Sequence, residues 1–255
     1  MDTTTVAQAR LSDRASSALA GVLYLIGSVC GFATVAIIGG QLDGPDYLSG
    51  AAELGQSLAV AALIIMIMGL SLAGIPLVLF SILRRVSERL AVGYVVFRSA
   101  LETVATLMIA LSWLLLFQLG GEALSSAEAP QLNTEAAIVH HAGETAGTLG
   151  SLFFITGAVM FYAMLYQARL VPRWLSGWGV LALIPYLVVA VLGLLGSLDV
   201  LSGPAVALQA PLALQELVLA LWLIFRGIAP ASTSTLADAA SSSDSESPAR
   251  LDVQI

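Results

Sequence analysis

The sequence contains no lysine and little charge of any kind. Asp, Glu, Lys and Arg together make up 11% of 255 residues, where soluble domains run near 25%. All ten basic residues are arginine, and the formal net charge is −7. That balance offers no basic face to a nucleic acid. The one cysteine, Cys30, cannot form an internal disulfide and reads as a small buried apolar filler. There is no CxxC, no glycine-rich phosphate loop and no nucleophile–base arrangement. No cofactor is expected, no residue is assigned a catalytic role, and enzymatic activity is the less favoured reading.

What is present is apolar. Residues of the AVILMFWYC set make up 58% of the chain, and the mean hydropathy is +0.92. A helix crossing a hydrocarbon core of about 30 Å needs roughly 20 such residues. Six runs qualify, at about 16–39, 56–83, 89–119, 134–168, 174–197 and 206–228. The first run is too long for a cleaved leader and lacks a small-residue exit before Asp43. Pro76 and Pro185 fall inside spans, where each removes one backbone donor. Gln41 to Gly55 reads as a turn-rich acidic loop, and Gly120 to Glu144 as the longest connection, acidic and without Lys or Arg. The expected fold is all-α: a polytopic membrane protein built as a six-helix bundle. Its parts are an N-terminal segment over 1–15, a transmembrane domain over 16–228 and a disordered acidic tail over 229–255.

The arginines set the expected orientation. Arg10 and Arg14 precede the first span; Arg84, Arg85 and Arg89 separate the second and third. Arg169 and Arg173 separate the fourth and fifth, and Arg226 closes the sixth. The other three connections hold no basic residue. Basic residues accumulate on the cytoplasmic side, so both termini are expected there. Trp174 and Trp178 beside one of these turns read as interface anchors. Arg10-Leu11-Ser12-Asp13-Arg14 echoes Arg85-Val86-Ser87-Glu88-Arg89. Both read as helix N-caps, with Ser accepting from the backbone and an acid favouring the dipole.

Charges inside a span are costly and usually mark a site. Tyr94, Arg98, Glu102 and Thr106 repeat at i+4 and share one face of the third helix. Arg98 lies nine residues past Arg89, about 13 Å deep at 1.5 Å per residue. Glu216, ten residues before Arg226, and Tyr24, ten after Arg14, fall near the same level. The expected ligand site is therefore Arg98, Glu102, Glu216 and Tyr24, between the third and sixth helices. Arginine's planar fork suits a carboxylate or phosphate. Two glutamates against one arginine leave an odd charge, and Arg98 is expected to pair across to Glu216 while Glu102 holds a proton. The competing structural reading is a brace between the two helices.

His140, His141 and Glu144 form the other cluster. His140 and Glu144 share a helix face, and a metal-dependent membrane enzyme is the alternative reading. Zinc needs three or four ligands, and no further His or Cys is in evidence.

Several blocks of residues resemble an uncharacterised bacterial integral-membrane family, domain of unknown function 4386. They are Ala20-Gly21-Val22-Leu23-Tyr24-Leu25-Ile26, Arg98-Ser99-Ala100-Leu101-Glu102, Leu152-Phe153-Phe154 through to Trp178-Gly179, and Glu216 followed by Ala220-Leu221-Trp222-Leu223-Ile224-Phe225-Arg226-Gly227. The resemblance runs from about Arg10 to Ile228 and implies a multi-pass protein of the bacterial cytoplasmic membrane. It carries no activity. The reading is thus a membrane protein that binds, senses or moves a small solute, with the lipid bilayer as partner. A purely structural subunit is a further alternative.

Overall fold

A computed structural model describes residues 3–42, 44, 46–123, 129–200 and 202–229. Among them every regular element is helical. The order is α1 (Thr3–Ile38), α2 (Tyr47–Leu54), α3 (Gln56–Leu83), α4 (Glu88–Tyr94), a π-helical segment (Val95–Leu101), α5 (Glu102–Ala123), α6 (Ala129–Gln167), α7 (Arg173–Leu194) and α8 (Gly203–Phe225). Six stretches are long and apolar enough to cross a membrane: Ser12–Ile38, Gln56–Leu83, Glu88–Glu122, Gln131–Gln167, Arg173–Leu194 and Gly203–Phe225. The third runs through α4, the π segment and α5 without a break.

Several boundaries differ from the sequence expectation, three of them instructively. The first helix begins at Thr3 rather than near residue 16. No glycine or proline interrupts residues 3–20, so nothing stops the helix from continuing into the polar start. Ser12 is therefore interior to α1 and caps nothing. Ser87 does cap, its hydroxyl accepting from the Leu90 amide at 3.4 Å. The acidic loop before α3 contains α2, which Asp46 starts by accepting from the Ser49 amide at 3.1 Å. The last helix stops at Phe225, where Gly227 takes a left-handed φ of 72°. The acidic tail from residue 230 lies outside the described residues.

The six spans close a ring. α1 packs on α3, α3 on α5, α5 on α6, α6 on α7, α7 on α8, and α8 back on α1. Close approach needs small residues. A Cβ on Gly21 of α1 would sit 2.5 Å from the Ala220 carbonyl of α8, and one on Gly69 of α3 would meet Thr106 of α5 at 2.9 Å. Apolar side chains face outward as well as inward; Phe32, Leu63, Leu70 and Leu181 are all more than 60% exposed. Water would penalise that surface, and lipid does not. The polar residues turn the other way, with Arg98 3% and Gln215 0% exposed. Pro76 in α3 leaves carbonyls of the preceding turn weakly served, and the Ser99 hydroxyl donates to one of them, Ala73 O, at 2.6 Å.

All the arginine-bearing turns meet at one end. Arg85 donates to both oxygens of Asp13 in α1, at 2.7 and 2.8 Å. Those hydrogen bonds hold the Arg85 guanidinium above its ordinary pKa. Arg14 donates to the carbonyls of Ile224 and Phe225 at 2.9 and 2.7 Å and so caps α8. The Ala229 amide donates to Leu170 O at 2.9 Å, tying the end of α8 to the α6–α7 turn. At the opposite end α2 packs on α5 and α6. The Leu48 amide of α2 donates to Asn133 of α6 at 3.2 Å.

Candidate functional site

The site lies where the third span departs from α-helical geometry. Val95–Leu101 is a π segment of seven residues, and Arg98 is its centre. π segments widen the turn and recur at functional sites. Nothing in the residue types of Val-Val-Phe-Arg-Ser-Ala-Leu signals it. A π turn is set by the packing around it, in this case with α3 and α6 as the flanking helices.

Arg98 Nη1 lies 2.8 Å from both oxygens of Glu102, four residues further along the same span. Glu216 on α8 is also within ion-pair range, Oε1 lying 3.9 Å from Arg98 Nη2. The expected depth match therefore holds, and Arg98, Glu102 and Glu216 come together. Arg98 does face Glu216 across the helices, but the short hydrogen bonds go to Glu102, because the i,i+4 spacing already brings that carboxylate alongside. The ring of Phe154 on α6 covers the guanidinium, with Cζ 4.5 Å from the ring centroid. Arg98 is thus held by Glu102 and a π-face. Glu216 accepts no hydrogen bond from any described residue, and its Oε1 is buried.

Arg98, Glu102 and Glu216 line a cavity of about 330 Å³ inside the ring. Tyr24 does not reach its wall. It is buried in the core with Tyr94, within electrostatic reach of Glu216 and Arg98. Two residues missed in the sequence sit beside it. Tyr162 of α6 donates to Gln215 Oε1 at 2.7 Å, and Gln215 Nε2 donates to Leu175 O of α7 at 3.1 Å. This buried relay joins three helices next to Glu216. A Gln adjacent to Glu216 in an apolar run was its one sequence signal.

The second cluster lines a neighbouring cavity. His140 and Glu144 line a cavity of about 390 Å³ together with Tyr47 of α2 and Asp199 before α8. Five residues, Ile109, Gly147, Ser151, Tyr186 and Gln209, line both cavities, so the two are adjacent. Counting from Gln167 at the arginine end of α6, Glu144 stands roughly 35 Å and His140 roughly 40 Å along the helix. Both lie beyond a core of about 30 Å, at the opposite interface. The cavity beside His140 therefore lies toward the arginine-free end, and the one that holds Arg98 lies deeper along the bundle. His140 stacks on Tyr47 at 4.5 Å between centroids. Glu144 lies 3.4 Å from His140 Nε2 and 3.1 Å from His141 Nδ1. Among the described residues no three His, Cys, Asp or Glu side chains are arranged to hold a metal. The metal-enzyme alternative thus gains nothing from the geometry.

A closed ring of six apolar helices, lipid-facing outside and charged within, defines a multi-pass α-helical membrane protein. The chain belongs to the family described as domain of unknown function (DUF4386), whose model matches residues 19–227. No curated protein and no solved structure matches it.

Proposed function

We propose that this protein binds a small solute in the Arg98–Glu102–Glu216 cavity, entering through the mouth marked by His140 and Glu144, and that the solute carries a cationic or donor-rich group. The observation that carries this reading is the state of Glu216. Its Oε1 is buried and accepts no hydrogen bond, with only the Arg98 guanidinium at 3.9 Å, and a buried acceptor left without a donor costs about 1–3 kcal/mol. An ammonium or amidine in the cavity would supply the missing donors. Arg98 is poorly placed to grip an anion, because Glu102 takes its Nη1 and Phe154 covers its face. Across the two adjacent cavities one arginine stands against four carboxylates, Glu102, Glu216, Glu144 and Asp199. Tyr47, Trp113, Phe154 and Tyr186 add aromatic faces, which also favour cations.

Transport or sensing fits such a site better than bracing alone. The short pair within the site, Arg98–Glu102, lies within one span and ties no two helices together. The arginine-rich end is assigned to the cytoplasm and the protein to the cytoplasmic membrane of a bacterium, with the mouth facing outward. The test is a thermal-shift panel on the full chain in detergent. Methylammonium, guanidinium and tetramethylammonium should raise the melting temperature of wild type and not of Glu216→Gln. Stabilisation by acetate or phosphate in their place, lost in Arg98→Gln, would reverse the assigned charge. No shift by any member would leave the brace as the better account.

A further inference from the structure

The arginines at the cytoplasmic end differ in what they do. Arg14 caps α8, and Arg85 pairs with Asp13. Three others, Arg169, Arg173 and Arg226, pair with no carboxylate among the described residues. These three line a single pocket of about 420 Å³ between the α6–α7 turn and the end of α8, with Trp222, Gly227 and Ala229.

The pocket has a fixed frame. The amide of Ala229 donates to Leu170 O across it, and Leu170 and Val171 are buried. Two of the guanidiniums are oriented by aromatic faces: Arg173 Cζ lies 5.2 Å from the Tyr166 centroid and Arg226 Cζ 5.8 Å from that of Trp222. α7 starts beside it with no side-chain cap and no acid in its first turn, so its dipole also favours an anion. Arg169 occupies an unusual backbone position. The Leu170 amide donates to Leu165 O at 3.1 Å, the hydrogen bond of a helix-terminating Schellman turn. Arg169 then takes the left-handed position of that turn, at φ 52°, where glycine is the ordinary occupant. Arginine stands there although the turn favours glycine.

We propose that this pocket binds a phosphate group, and specifically the headgroup phosphate of an anionic phospholipid in the cytoplasmic leaflet. Three guanidiniums that meet no carboxylate among the described residues match phosphate oxygens through forked hydrogen bonds. Exposed Trp174 and Phe225, next in sequence to Arg173 and Arg226, place the pocket at the lipid interface. The site is separate from the solute cavity and stands or falls without it.

Native mass spectrometry of the full chain in detergent, titrated with phosphatidylglycerol or phosphatidylcholine, tests this. Wild type should retain phosphatidylglycerol preferentially. Arg169→Gly should lower its affinity roughly fivefold, the weight of one arginine near an anionic headgroup. The same variant should keep or raise the melting temperature, because glycine suits the turn. Arg173→Gln and Arg226→Gln should weaken binding similarly, and Arg84→Gln, at the same end outside the pocket, should not. Inorganic phosphate provides the second arm. If it binds and loses affinity in the same three variants while the two lipids are not distinguished, the pocket takes a soluble phosphate and the lipid assignment falls. Equal losses in Arg84→Gln and Arg169→Gly would reduce the effect to general surface charge and overturn the site altogether.

Discussion

Replacing Arg98 should be the most damaging single change in the bundle, and its partners should rank in a fixed order. Arg98→Ala leaves Glu102 and Glu216 buried without their cation. Breaking a buried pair from one side costs about 3–5 kcal/mol in soluble proteins. Loss of the contact with Phe154 adds about 0.5–2 kcal/mol. Glu102→Gln retains one acceptor for Nη1 but removes the charge, and a charge-assisted hydrogen bond is worth about 1.5–3 kcal/mol. Glu216→Gln removes a carboxylate that accepts no hydrogen bond and stands 3.9 Å from Nη2, so its loss should stay below about 1 kcal/mol. The assay is a pair of double-mutant cycles, Arg98 with Glu102 and Arg98 with Glu216, read by thermal unfolding in detergent. The first should show the larger coupling and the second a smaller coupling distinct from zero. Solute binding should rank differently, with Glu216→Gln folded yet inactive. Additive losses for Arg98 and Glu216 would show that the two positions do not communicate, and the single-site argument would fail.

Other outcomes follow from particular contacts. Gly21→Leu should destabilise by about 1–3 kcal/mol, because even its Cβ meets the Ala220 carbonyl at 2.5 Å and neither backbone can yield; melting temperature would show it. Gln215→Leu should cost about 1–3 kcal/mol by stranding the Tyr162 hydroxyl, and Tyr162→Phe in the same background should recover part of that loss. Asp13→Asn should change stability by less than about 1 kcal/mol, and less still in high salt, since Arg85 is half-exposed. Fusions of a cytoplasm-active reporter near Asp46, Ser126 and Asp199 should be silent, and activity at any of them would overturn the orientation. Deleting residues 231–255 should leave the melting temperature unchanged, since that composition supports little packing.

The spans were legible because lipid imposes one demand, about 20 apolar residues, and the chain meets it six times. Arg98 and Glu102 were legible because a charge in such a run has few reasons to be there. Their pairing with each other followed from spacing, yet depth alone pointed Arg98 toward Glu216, and depth carries no information on rotamer or reach. α2 was hidden because Gly44 and Pro45 announce a turn, and one N-cap residue, Asp46, carries the signal that a helix follows. The link between His140 and the buried site was out of reach, since it depends on five residues from α5, α6, α7 and α8 meeting in space. Gln215 was overlooked beside the more conspicuous Glu216.

The π segment has a consequence for how this span tolerates length change. A π turn holds about one residue more than the α turn it replaces, and each residue of an α-helix turns the chain by about 100°. Deleting a residue from an ordinary transmembrane helix rotates everything beyond it out of register. Between Val95 and Leu101 a surplus residue is already accommodated, and removing one would let the span revert to plain α-helix. α4 and α5 would keep their faces toward α3 and α6 while the guanidinium swung off the cavity wall. A one-residue deletion here is thus a change the bundle can absorb and the site cannot.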